Sequence, residues 1–142
     1  MRASSPTRDQ GGTVTLWVLG LCVAVMFLGG LSVDLWRVVA VRRDLATMAD
    51  GAAAAAADGV DEASLRAGTA RLDPDLARRL AAGHLAEQSD YGSIDDADIV
   101  VSDSRVTVTL RAGVPFSLLG VFLGDGTFTV TVVAEAEPRR RA

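Results

Sequence analysis

The chain has 142 residues, a formal charge of −4 at neutral pH and 49% hydrophobic residues, which allows one membrane segment and one small domain. Its single cysteine, Cys22, rules out an intrachain disulfide and a cysteine metal site, and its single histidine, His84, leaves histidine-pair metal ligation and most acid–base arrangements without a second member. Between residues 61 and 137, 13 acids stand against 6 arginines, which argues against nucleic acid as a partner.

Residues 1–13 form a short polar leader. From Val14 to Val33 there follow 20 residues without a charge. As a helix at about 1.5 Å per residue, such a run spans roughly 30 Å, the thickness of a bilayer's hydrocarbon core. A cleavable signal has an apolar region of only about 7–15 residues followed by a small-x-small cleavage site. Here "LSVDLWRVVAVRR" continues in helical style with no such site, so residues 14–33 read as a transmembrane helix that stays. Cys22 within it reads as a small apolar membrane residue. Asp34 closes the run. It either marks the membrane interface, the preferred reading, or pairs with a partner subunit within the membrane.

The helical pattern does not stop there. Leu35, Val38, Val41, Leu45, Met48, Ala52 and Ala55 recur every three or four residues, with Arg37, Arg43, Asp44 and Asp50 elsewhere around the helix. Residues 34–59 therefore read as an amphipathic extension of the anchor. Its regular stripe (Leu35, Val38, Val41, Leu45, Met48) offers a contact surface, partly for the protein's own sheet and partly for partners. The alanine run after it permits close approach of another helix. Gly51 weakens this half by about 1 kcal/mol relative to alanine and allows a bend. Asp58-Gly59 ends the helix, with glycine suited to a left-handed C-terminal position.

A short helix is expected within Asp61–Ala70. Asp73-Pro74-Asp75 starts a firmer one, with an N-cap acid, proline at the first helical position and a second acid favoured by the helix dipole. Leu76, Leu80 and His84, flanked by Ala77, Ala81 and Leu85, face one way. After the turn-like "SDYGS" the period changes to two. "ADIVVSD" and "RVTVTL" read as strands joined by a tight turn at Ser102-Asp103-Ser104. "TFTVTVVAEAE" reads as a third, with Phe128, Val130, Val132, Ala134 and Ala136 on one face. Between the last two, "VPFSLLGVFLGDG" gives a short apolar helix or loop through Phe116, Leu119, Phe122 and Leu123. The fold class is α+β: an anchor helix, then a small domain over 60–137 with a helix and an antiparallel sheet of about three strands. Residues 138–142 are a basic, solvated tail.

No nucleophile elbow, phosphate loop or dinucleotide fingerprint occurs. Asp95, Asp96, Asp98 and Asp103 cluster in sequence but not at calcium-loop spacing, and read as a solvated turn and strand edge. His84 reads as a packed, hydrogen-bonded side chain. The expectation is a protein without catalytic residues, cofactor, metal or small-molecule substrate.

These pieces together resemble a known family. "RDQGG" before an apolar run, "VDLWRVVAVRRDLATMADGAAAAAADG", "RLDPDLARRLAAGHL", "RVTVTLRAGVPFSLLG" and a final "VTVVAEAEP" are similar to the TadE/TadG-like proteins of tight-adherence (Flp) pilus systems, over nearly the whole chain. The resemblance implies a minor pseudopilin or pilus-assembly component, in contact with pilin-like subunits. It would be held in the cell membrane with its N-terminus cytoplasmic and its C-terminal domain outside. The arginine distribution alone leans the other way, but long domains translocate largely regardless of charge. The resemblance also implies a leader-processing site at Gly11 or Gly12. The processed members carry glutamate at the fifth mature residue, where this chain has Trp17 or Leu16. The alternative from another class is a membrane-anchored extracytoplasmic binding or sensor module unrelated to pili.

Overall fold

The structure, a computed structural model, describes residues 11–88, 94–118, 120 and 124–138. The leader before Gly11, the turn expected at 89–93, the apolar positions Leu119, Phe122 and Leu123, and the tail from residue 139 lie outside the described residues. The order is α1 (Gly11–Ala57), α2 (Glu62–Arg66), α3 (Pro74–Ala86), β1 (Asp96–Ser102), β2 (Arg105–Pro115) and β3 (Thr127–Ala136). The three strands form one antiparallel sheet in the order β1-β2-β3. The α+β class and the long N-terminal helix followed by a small three-stranded domain are thus what the chain adopts.

α1 is one helix of 47 residues that begins at Gly11 and runs without a break through both its uncharged and its amphipathic half. Gly51 does not interrupt it. A Cβ there would collide with the His84 ring of α3, so the missing side chain is the space into which that ring packs. The end of α1 also differs from expectation. Gly59 has no positive φ. It is small for a different reason: a Cβ would lie 2.8 Å from the Ala77 backbone, where α3 crosses.

The segment between α1 and α3 is stitched by backbone. Asp61 N–H donates to the Arg71 carbonyl at 2.8 Å, and Asp73 N–H to that of Gly59 at 2.9 Å. The buried Ser64 hydroxyl donates to the Asp61 carbonyl (2.8 Å) and accepts from Arg71 N–H (3.1 Å). Asp61 caps α2, and Asp73 caps α3 by accepting from the N–H groups of Asp75 and Leu76, with Pro74 in the first turn.

One face of the sheet lies on α1 and α3. The core joins Leu45, Met48 and four alanines of α1 to Ala77, Ala81 and Leu85 of α3, alternate residues of β2, and Val130 and Ala134 of β3. α3 therefore turns Ala77, Ala81 and Leu85 inward, while Leu80 is exposed. On β3, Phe128 shares the inward parity but lies beyond the core and is also exposed. β2 runs five residues past "RVTVTL", because Ala112 and Val114 keep the alternation. Eight of the 17 clustered core residues are alanine. Helix and sheet can therefore approach closely, but the apolar burial rests on few large side chains: Leu45, Leu85, Leu110, Val106 and Val108. Each contributes about 1.5–3 kcal/mol.

Candidate functional site

From Val14 to Val39, α1 presents 16 large apolar side chains to the outside, among them Trp17 and Trp36. Its most apolar window has a mean hydropathy of 2.3 and is 6% buried, so α1 is long and apolar enough to cross a membrane and is not covered by the chain itself. Soluble surfaces rarely expose a contiguous apolar area of that size. Ser32 fits an apolar surround, because its hydroxyl donates to the Leu28 carbonyl of the preceding turn at 2.9 Å. Cys22 is exposed on the same surface. Gly12, open on all sides, stands with Gly11 in the first turn of α1.

Asp34 is not a bare interface marker, and it does not look outward for a partner. It is 7% exposed. Its Oδ1 accepts from the Ser117 backbone N–H (3.2 Å), from the Ser117 hydroxyl, and from the Leu118 N–H at the long distance of 3.4 Å. The carboxylate thus ties the end of the β2 strand to the helix, in the manner of an N-cap supplied from elsewhere in the chain. One turn earlier, Gly30 meets Leu118 directly: a Cβ on Gly30 would lie 3.0 Å from the Leu118 Cβ. Beside this contact an apolar groove of about 240 Å³ runs between Leu31, Leu35 and Val38 of α1 and Val114, Phe116 and Phe128 of the sheet end, with Asp34 in its wall.

The five stripe residues divide. Leu45 (2% exposed) and Met48 (5%) are spent on the protein's own core. Val38 and Val41 pack half-buried against it, and Leu35 is exposed. The alanine end of α1 is likewise covered by α3 of the same chain. The outward face of this half carries Trp36, Arg37, Val39, Arg43 and Asp50 instead.

The remaining candidates lie apart from this region. Asp96 pairs with Arg111 at 2.7 Å on the outer face of the sheet, and Asp103 stands 3.9 Å from Arg71 at the far hairpin. Among the described residues no three metal-ligating side chains come together. His84 is half-buried, with Gln88 Nε2 3.3 Å from its Nε2.

A family model described as "Putative Flp pilus-assembly TadE/G-like" matches residues 12–70. Over those residues the chain is similar to TadE/G-like pilus-assembly proteins. The matched segment comprises nearly all of α1 together with α2, and it stops before α3 and the sheet, short of the whole-chain resemblance read from the sequence. Neither a curated protein nor a solved structure matches the chain.

Sequence reasoning did not find Ser117, Gly30 or the groove residues Phe116 and Phe128 as a group. The only available signal was the pairing of one acid at the close of an apolar run with one hydroxyl inside another apolar run, and nothing local links them.

Proposed function

We propose that the protein is a membrane-anchored, minor pseudopilin-like component of a Flp/Tad-type pilus or secretion assembly. The observation that carries this reading is the TadE/G-like match over residues 12–70, which falls on the helix that is apolar and exposed in its first half and core-forming in its second. α1 serves as anchor and as subunit contact, in the cell membrane, with the N-terminus cytoplasmic and the domain outside. The contact face is the outward one, around Val39 and Trp36, because the inward stripe is occupied. The role is structural: the domain is a scaffold and not a catalyst. The match also weighs against a sensor or binding module unrelated to pili.

The test is a chromosomal deletion together with a C-terminally tagged copy. The deletion strain is expected to lose its surface fibres. The tagged protein, extracted from membranes in mild detergent, is expected to bring down pilin-like subunits. Normal fibres in the deletion strain, with no assembly subunit in the purified material, would reject the reading.

A further inference from the structure

We infer that the domain does not stand clear of the bilayer: its β2–β3 end, at Phe116, Leu118 and Phe128, sits in the membrane interface on the domain's side. The inference rests on α1 being the membrane anchor. Trp17 and Trp36 are the most exposed large apolar residues described, both at 77%. Tryptophan concentrates at the two membrane–water interfaces. The 19 helical steps from Trp17 to Trp36 correspond to about 28 Å, close to the roughly 30 Å of a hydrocarbon core. Trp17 and Trp36 therefore mark the two edges of the span.

In that frame the Gly30–Leu118 contact lies about 9 Å below the level of Trp36, on the hydrocarbon side. Leu118 is 46% exposed there and Phe128 53%. Phe128 with Leu31 and Leu35 across the groove, and Leu118 against Gly30, form an apolar shelf continuous with the exposed helix. Interfacial segments bury their apolar face about 5–10 Å into the headgroup–acyl boundary, which is the depth this shelf reaches. Three acids lie at this end, Asp34, Asp125 and the exposed Asp95, whose carboxylate stands beside Gly113, and they fit a placement at the interface and no deeper. Asp34 is buried and accepts from Ser117, so no bare carboxylate meets lipid. Asp125, exposed just before β3, is the sole charged side chain among the described residues of 113–128. It keeps that end at headgroup level and limits the dip to the interface.

The test uses the full chain in phosphatidylcholine–phosphatidylglycerol vesicles. A Cys22→Ala background carries Leu118→Cys, Phe128→Cys or, at the opposite end of the sheet, Ser104→Cys, each labelled with an environment-sensitive fluorophore. The parent is labelled at Cys22. Nitroxide lipids with the spin label shallow or deep in the acyl chain supply the quencher, and protease resistance checks the fold of each variant. The expected result is quenching of the Leu118 and Phe128 positions chiefly by shallow nitroxide, of Cys22 by deep nitroxide, and of Ser104 by neither. If Cys22 is quenched while the Leu118 and Phe128 positions are not, the shelf inference is overturned and the anchor stands. Blue-shifted but lipid-insensitive emission at those two positions, with cross-linking between copies, overturns it in favour of a protein contact. An unquenched Cys22 rejects the anchor itself.

Discussion

Asp34 and Ser117, 83 residues apart, are joined by a carboxylate oxygen of α1 that accepts from the backbone N–H that follows the β2 end. The pair links the long helix to the segment that follows β2, and it lies at the opposite end of the sheet from the alanine-rich core. Replacing Asp34 by Leu leaves the donors of Ser117 without their acceptor, an expected cost of about 1–3 kcal/mol. Asp34→Asn keeps one acceptor oxygen and is expected to lose less. Thermal unfolding in detergent, followed by circular dichroism, reads both, and proteolysis near residue 117 should increase in the Leu variant.

Gly51 and His84 give a second measurable pair. Alanine at position 51 gains about 1 kcal/mol of helix propensity but meets the His84 ring. The expected outcome is coupling: Gly51→Ala is more favourable by about 1 kcal/mol in a His84→Ala background than in the parent. A double-mutant cycle of unfolding free energies checks this. Additive effects would show that the ring does not occupy the notch.

Val108 is fully buried in the central strand. Val108→Asp introduces an unpaired charge into a thin core, at a cost of several kcal/mol, comparable to the whole stability of a small domain. The variant is expected to be protease-sensitive at ambient temperature. His84→Gln, at the half-buried edge, is expected to leave both folding and fibre assembly intact.

On α1, Met48→Asp is expected to unfold the domain, because Met48 is 5% exposed within the core. Val39→Asp, on the outward face and 59% exposed, is expected to leave the domain folded and to weaken co-purification of assembly subunits. Limited proteolysis and affinity purification of the two variants side by side separate the inward face from the outward one.

What could be read from sequence was what neighbours in the chain determine. The alternation in Val106, Val108 and Leu110, the Asp73-Pro74 start of α3 and the uncharged run of α1 are local signals, and each element stands where its pattern placed it. Side-chain destinations that depend on tertiary neighbours were not legible. Gly51 reads locally as a weak point and Gly59 as a left-handed cap, yet both are small because α3 crosses close by. Leu45 and Leu35 belong to one periodic stripe, and only the length of the sheet decides that the first is buried and the second exposed. The Asp34–Ser117 bond has no trace within either segment, since an acid after an apolar run is equally consistent with an interface residue.

The unbroken course of α1 also has a mechanical consequence. Its 47 residues make a helix of about 70 Å, and the core is built around its distal part, so the sheet rides on the same continuous helix as the anchor. A span tilted by about 20°, ordinary for a single helix, swings the far end of such a helix sideways by roughly 24 Å. Small changes in lean at the membrane therefore become displacements of a whole domain width at the tip. A second point of attachment beside Gly30, on one flank only, would fix both the lean and its direction, giving every copy the same bearing before it meets a neighbour.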